Sequence, residues 1–191
     1  MTKVKELTKF LYELGNLQRV KRSGYWVINV KDPESVAEHS QRSAMIAYFL
    51  AKLEDADCYK SVVMSLFHDS CEARLNDLHK VGQKYIDFKA AEKKVYADQF
   101  GALGEMGSEL SAFMDELMAR ETKEANVARD ADLLDNALSA RELIKIGHED
   151  AQNWIDNIWK VIKTENGKKL LKMIEEVDPN DWWRELKNIT R

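Results

Sequence analysis

Apolar residues recur at intervals of three and four along almost the whole chain, and only two prolines, Pro33 and Pro179, occur in its 191 residues. Proline interrupts a helix because it lacks the backbone N–H and clashes with the preceding turn, so long proline-free stretches remain free to be helical. A spacing of three and four is that of one face of an α-helix. The sequence therefore predicts an all-α fold, and its length predicts one domain over 1–191.

Composition and charge argue against several classes of protein. The net charge of −4 and the lack of a basic arm give no reason to expect binding to a nucleic acid polymer. The only two cysteines, Cys58 and Cys71, form no C-x-x-C motif, which favours a reduced, cytoplasmic setting. The N-terminus has no signal-peptide core, and no apolar run approaches the length of a membrane span, so we expect no membrane partner.

The pair His68-Asp69 follows an apolar run and is predicted to end a helix. Asp57 is the expected cap of this helix, which spans about 58–69. Such a pair is more often a surface or capping feature. Here the apolar face places both side chains near the core, where an unpaired carboxylate would be costly. The pair therefore indicates a buried cation site.

Two further candidate ligands lie far from this pair in the sequence. His39 follows a helix-start signal at 32–35 and is expected in the first turns of a helix. Asp132 precedes Leu133 and Leu134 and is expected early in another helix. Imidazole and carboxylate groups suit divalent Zn, Mn, Fe, Co or Ni. Together the four side chains predict one divalent-cation site that the fold closes.

Two acidic residues, Glu72 and Asp77, follow the His68-Asp69 pair closely, in a more polar segment, 72–84, that is expected to be irregular. Carboxylates beside a metal-bound water can act as general acid or base, or can hold that water. Their alternative roles are a solvated helix end for Glu72 and a turn residue for Asp77.

Arginines in the loop before the His39 helix are candidates for phosphate binding. The guanidinium of Arg19 or Arg22 matches phosphate geometry through paired N–H donors, while the alternative is a solvated basic loop. Asp135 lies one helical turn after Asp132. It either orients a metal ligand or pairs with Arg129 or Arg141.

The order of these segments resembles that of the HD-domain phosphohydrolases. The spacing of Glu72 and Asp77 after His68 is most similar to that of the 5′-deoxynucleotidases and related small HD-domain proteins. The similar segments extend over most of the chain and are 15–24 (GNLQRVKRSG), 33–39 (PESVAEH), 67–72 (FHDSCE) and 129–133 (RDADL).

The resemblance implies an HD-domain helical bundle with a metal site in its core. It implies a metal-binding core at about 34–146, C-terminal helices at about 149–190, and a homodimer. It also implies one divalent cation, whether Mn, Co, Fe, Ni or Zn, held by a set of four side chains: His39, His68, Asp69 and Asp132.

The resemblance further implies hydrolysis of nucleoside 5′-monophosphates, with deoxyribonucleotides as the expected substrates. Glu72 then assists the nucleophilic water, Asp77 holds the sugar or the water, and Arg22 grips the phosphate, with Arg19 as the alternative. The sequence departs from the family at Ser23, where the deoxynucleotidases that reject ribose have tryptophan.

Three other functions fit parts of this pattern. An HD hydrolase of another phosphoester, such as a nucleoside polyphosphate, would bind a more negatively charged substrate. It should therefore have more basic residues in its pocket than the small cluster of Arg19, Lys21 and Arg22. An HD-fold nucleotide sensor without turnover should have lost some of the acid, base or ligand residues, which this chain keeps. An all-α interaction protein with a chance His-Asp pair should bind no metal.

Overall fold

The computed structural model describes residues 2–184 and 186–187 of the chain. Of the described residues, 75% are helical, and these ranges contain no β-strand, only an isolated bridge between Lys21 and Ser35. The prediction of an all-α fold is therefore confirmed. The division into a core and C-terminal helices stays a prediction, and residue 185 and residues 188–190 of the latter range lie outside the described residues.

The described residues form eleven α-helices, which are α1 (Thr2–Leu14), α2 (Val36–Glu54), α3 (Cys58–Phe67), α4 (Glu72–Leu75), α5 (Lys80–Gln83), α6 (Phe88–Gly101), α7 (Glu105–Ala119), α8 (Lys123–Lys145), α9 (Gln152–Trp159), α10 (Glu165–Glu176) and α11 (Asp181–Arg184). Short 3-10 segments occur at 15–18, 23–28 and 149–151. None of these helices combines the length and apolarity that crossing a membrane requires.

Side-chain caps determine where the helices of the site begin. Ser35 precedes α2, and its hydroxyl accepts from the Glu38 backbone N–H at 3.2 Å while the Glu38 carboxylate accepts from the Ser35 N–H at 2.6 Å. This reciprocal capping box satisfies two N–H groups that the helix itself leaves unpaired. Asp57 caps α3 as predicted, by accepting from the Lys60 N–H at 3.1 Å.

Helix α8 lies at the centre of the molecule and packs against α2, α3, α7, α9 and α10. It contributes to two hydrophobic clusters, through Leu134 and Ala137 on one side and Ala125 and Ala128 on another. Because α8 is covered on several faces, its polar side chains are also enclosed, and those that are buried are Asp130, Asp132, Asp135 and Ser139. Buried polar groups of this kind require partners.

Two expectations about local structure were wrong. The segment 72–84 is not irregular, because it contains the short helices α4 and α5, and the His79 ring caps α5 by accepting from the Gly82 N–H at 3.1 Å. Asp132 lies near the middle of α8 and not early in it, because Thr122 caps the helix well upstream. A mid-helix carboxylate is held by a rigid backbone, whereas one in a first turn can fray.

Candidate active site

Two histidines from different helices point the same ring nitrogen at each other. His39 lies in the first turn of α2 and is completely buried, and His68 directly follows α3. Their Nε2 atoms are 3.3 Å apart. The packing of α2 against α3 brings both rings to this point of the interior.

The other nitrogen of each ring faces an oxygen that only accepts. His39 Nδ1 is 2.5 Å from an Asp135 carboxylate oxygen, and His68 Nδ1 is 2.7 Å from the Ser65 carbonyl oxygen. Each Nδ1 therefore carries the hydrogen in the neutral ring, and each Nε2 carries a lone pair. Two lone pairs at this distance repel each other unless a cation, either a proton or a metal, lies between the rings.

Two carboxylates complete the group. Asp69 Oδ2 is 3.1 Å from His68 Nε2 and 3.6 Å from His39 Nε2. Asp132 Oδ1 is 3.3 Å from His39 Nε2 and 3.9 Å from His68 Nε2. The ligand atoms of His39, His68 and Asp69 all lie within 4.8 Å of one another, and Asp132 reaches the two histidines from α8. The structure thus brings together all four side chains that the sequence singled out.

These separations fit the donor set of a divalent cation. Nitrogen and oxygen ligands lie roughly 2.0–2.2 Å from zinc, which puts neighbouring ligand atoms roughly 2.8–3.6 Å apart at tetrahedral or octahedral angles. Four of the five measured separations, from 3.1 to 3.6 Å, fall in this range, and the fifth is slightly larger at 3.9 Å. Two imidazoles and two carboxylates are borderline-to-hard ligands, suited to a first-row transition ion.

The electrostatics around Asp69 favour the ionised carboxylate. Burial by itself raises the pKa of Asp69, but three positively charged or polarised neighbours lower it to about 2, namely His68, His39 and Arg22. Asp69 therefore remains a negative ligand at any physiological pH.

Asp132 is ionised for a similar reason. Burial raises its pKa, whereas the charge of Arg129 and the hydrogen bond to His39 bring it well below the usual range. Burial and Arg22 lower the pKa of His39, but hydrogen bonds to Asp132 and Asp135 outweigh them and raise it to about 9. The surroundings of His39 thus stabilise positive charge at the point where the two rings meet.

Among the described residues, Arg22 is the one arginine whose guanidinium contacts Asp69. Its Nη1 lies 3.4 Å from Asp69 Oδ2, and its Nη2 donates to Asn136 Oδ1 at 2.6 Å. The arginine side chain is 14% exposed, so a ligand in the site can reach it. Arg19 behaves differently, because its side chain is exposed and donates to the Gly15 carbonyl at 3.2 Å, away from these carboxylates.

Glu72 begins α4 and is buried beside the site. Its Oε2 has no hydrogen-bond partner among the described residues. Burial raises the pKa of Glu72 well above its usual value, and the charges of Asp69 and Asp77 raise it further. A buried carboxyl group with a raised pKa and an unused oxygen can give or take a proton.

Asp77 fastens two loops next to Arg22. Its carboxylate accepts from the Ser23 backbone N–H, and the Ser23 hydroxyl accepts from the His79 backbone N–H at 2.9 Å. Asn76, which precedes Asp77, has a positive φ of 61° and turns the chain sharply after α4. Ser23 is buried by these contacts.

Sequence reasoning missed several partners of the site. Asp135 accepts from Arg42 as well as His39, so the expected alternative of a pair with Arg129 or Arg141 was wrong; Arg129 binds Asp132 instead. The contact of Arg42 with Asp135 and that of Asn136 with Arg22 were also missed. One available signal was the spacing of polar residues along α8, where a single stripe carries Arg129, Asp132, Asn136 and Ser139.

Comparison with known proteins gives consistent matches. The family model described as HD domain matches residues 14–176. The 5′-deoxynucleotidase HDDC2 of Dictyostelium discoideum is 29% identical over 150 residues, covering 74% of this chain and 79% of the relative. The protein of the same name from Bos taurus is 28% identical over 151 residues, covering 78% and 71%. A solved structure of a conserved hypothetical protein from Pyrococcus furiosus has a TM-score of 0.76 at 26% identity, covering 89% of this chain and 99% of that one.

Proposed function

The chain belongs to the HD domain family, and on that basis we propose that it is a metal-dependent phosphohydrolase of nucleoside 5′-monophosphates. Curated relatives are named 5′-deoxynucleotidases, and the chain is a hydrolase similar to them. We further propose deoxyribonucleoside 5′-monophosphates as its preferred substrates, since that is the class which the relatives' name specifies.

The observation that carries this proposal is the convergence of four ligand side chains beside an arginine. His39, His68, Asp69 and Asp132 would hold the cation, whose identity among Mn, Co, Fe, Ni and Zn we leave open. When bound, a divalent cation polarises a phosphoryl oxygen and lowers the pKa of coordinated water. No covalent nucleophile is required for this chemistry.

Arg22 would bind the phosphate of the substrate. Its guanidinium has five N–H donors in a fixed planar arrangement, and only two contacts, to Asp69 and Asn136, involve its side chain among the described residues. The remaining donors would offset charge on the equatorial phosphoryl oxygens as the bond to the leaving oxygen breaks. Arg19 is the weaker candidate because its guanidinium faces Gly15.

Glu72 would exchange the proton of the attacking water, because its carboxyl group is buried and its Oε2 is free of hydrogen bonds within the described residues. Asp77 would hold the sugar or a water next to the phosphate. Its hydrogen bond from the Ser23 backbone leaves its second oxygen to accept from such a group.

The direct test is phosphate release from a panel of 5′-ribonucleoside and 5′-deoxyribonucleoside monophosphates after chelation and re-addition of Mn, Co, Zn or Mg. We expect metal-dependent release, with higher kcat/KM for the deoxy substrates. The deoxy-to-ribo ratio also reports what Ser23, in place of the family's tryptophan, permits. Folded, metal-loaded protein that releases no phosphate from any nucleotide would move the function to another phosphoester or to a sensor.

We also propose that the chain forms a homodimer through the exposed face of α2. Four large apolar side chains follow this face at helical spacings of three and four residues and are 45–64% exposed: Met45, Tyr48, Phe49 and Leu53. A continuous apolar stripe on a helix surface is unusual for a monomer and typical of an interaction site. A second copy of the same chain buries this stripe against itself about a two-fold axis, as most homodimers do.

Sedimentation analysis of Phe49→Glu tests this dimer. We expect the wild-type chain to have twice its monomer mass of 22.1 kDa, and Phe49→Glu to sediment as a monomer because a charge would be buried at the interface. Tyr12→Glu is the matched control, since Tyr12 is an 81% exposed aromatic residue on α1, away from the stripe, and its substitution should leave the dimer intact. A monomeric wild type, or an unchanged mass for Phe49→Glu, would contradict the proposal.

A further inference from the structure

The side-chain amide of Asn136 lies between Arg22 and Asp132. Its Oδ1 accepts from Arg22 Nη2 at 2.6 Å, and its Nδ2 donates to Asp132 Oδ1 at 3.0 Å. Arginine offers only donors and a carboxylate offers only acceptors, so these partners determine which way the amide points. Both ends of the amide are therefore used by groups of the site.

The two contacts differ in what they span. Asn136 is one helical turn after Asp132 on α8, and its Nδ2 also donates to the Asp132 carbonyl at 3.0 Å. Arg22, by contrast, comes from a loop 114 residues away in sequence. The amide is thus held in place by the central helix α8. It in turn holds the side chain of Arg22, which comes from a loop.

The contact also limits how Arg22 pairs with Asp69. Arginine and a carboxylate tend to form two parallel hydrogen bonds, which would occupy both the guanidinium edge and the ligand oxygens. Here Asn136 takes Nη2, and only Nη1 approaches Asp69, at the long distance of 3.4 Å. The Arg22 guanidinium therefore lies close to Asp69 without forming a bidentate ion pair with it.

We propose that Asn136 is a positioning residue that holds the Arg22 guanidinium in place for the phosphate of the substrate; this rests on the function proposed above. A side chain with several rotatable bonds loses conformational freedom when it binds a ligand, and holding it in advance removes part of that cost. In this role Asn136 acts on the substrate through Arg22, while its other end stays hydrogen-bonded to Asp132.

A double-mutant cycle between Asn136 and Arg22 tests this role. At saturating metal, Asn136→Ala should raise KM for dAMP on the order of tenfold, the scale of one hydrogen bond to a charged group, with kcat within about threefold of the wild type. In an Arg22→Ala background, the same substitution should change KM by less than about twofold, because the group it positions is gone.

Asn126→Ala is the matched control. Asn126 is also half-buried on α8 and also donates to the carbonyl four residues before it, that of Thr122, at 2.9 Å, but it does not contact Arg22. It should leave KM unchanged. If Asn136→Ala fails to fold, Asn136→Leu keeps most of the volume without the amide and enters the same cycle.

Two results would overturn the inference. One is a KM for Asn136→Ala within about twofold of the wild type, and the other is an increase in KM that is undiminished in the Arg22→Ala background. If the wild type releases no phosphate, the proposed function fails. The double-mutant cycle is then measured by calorimetry on the Kd of dAMP, and the same two results, read in Kd instead of KM, decide the role of Asn136. A wild type that neither turns over nor binds dAMP would reject both.

Discussion

His68→Ala is expected to abolish metal retention and phosphate release together. The substitution removes one of four ligand groups and leaves Asp69 and Asp132 facing a single imidazole, that of His39. Loss of an outer partner of a ligand already costs roughly 10–100-fold in metal affinity, and loss of the ligand itself should cost more. Metal content after gel filtration and phosphate release from dAMP measure the two effects on the same sample.

His148→Ala is the matched control for this experiment. His148 Nδ1 contacts a main-chain oxygen, that of Ile28 at 3.2 Å, just as His68 Nδ1 contacts that of Ser65, but His148 lies outside the ligand group. It should keep both metal and activity. Normal turnover by metal-free His68→Ala protein would rule out the metal site.

Thermal unfolding gives a readout of the same site that does not depend on turnover. A cation that binds only the native state stabilises it by mass action, by about 2.7 kcal/mol at a free concentration one hundred times Kd. Added metal should therefore raise the Tm of the wild type and of His148→Ala, and a chelator should reverse the rise. His68→Ala should show little response to either addition.

Glu72→Gln is expected to keep the metal but to lower kcat by roughly 10²–10⁴-fold, the usual scale for assistance by a general acid or base. Glutamine preserves the size of the side chain and removes only its ability to exchange a proton. Because Glu72 is buried, and its Oε2 has no hydrogen-bond partner among the described residues, the substitution breaks no side-chain contact of that oxygen. Metal content, Tm and kcat for dAMP are measured together.

Glu105→Gln serves as the control for Glu72→Gln. Glu105 is the first residue of α7, as Glu72 is of α4, so both carboxylates lie at a helix N-terminus, but Glu105 is exposed. It should leave kcat unchanged, which separates loss of proton transfer from loss of a charge at a helix end. A fall of less than about threefold for Glu72→Gln, which is well under 1 kcal/mol of barrier, would remove Glu72 from the mechanism.

Much of the fold follows from local patterns that can be recognised in the sequence. The start of α2 follows from the capping box of Ser35 and Glu38, and that of α3 follows from Asp57. The segment 72–84 was misjudged because α4 and α5 are each a single turn, too short for any periodicity to appear. Short helices depend on contacts with the rest of the molecule more than on their own residues.

The candidate ligands could also be recognised in advance. The pair His68-Asp69 ends an apolar run and Asp132 precedes two leucines, so that burial of an unpaired carboxylate would be costly, and His39 follows a helix-start signal. The contacts that surround these ligands could not be predicted from the sequence. Arg42 meets Asp135 across 93 residues, and Arg22 meets Asp69 across 47. No local spacing specifies which of several arginines will reach a given carboxylate.

By itself, then, the sequence determined the helical class, the starts of α2 and α3 and the residue types able to bind a cation, since each depends on neighbours within a few positions. The tertiary structure alone decided that Arg22 and not Arg19 lies beside the carboxylates, that Asp135 orients His39, and that Asn136 lies between arginine and ligand. Those pairings arise where α8 packs against α2 and meets the side chains of Arg22 and Glu34, because packing brings distant segments together and buried polar groups must then find partners there.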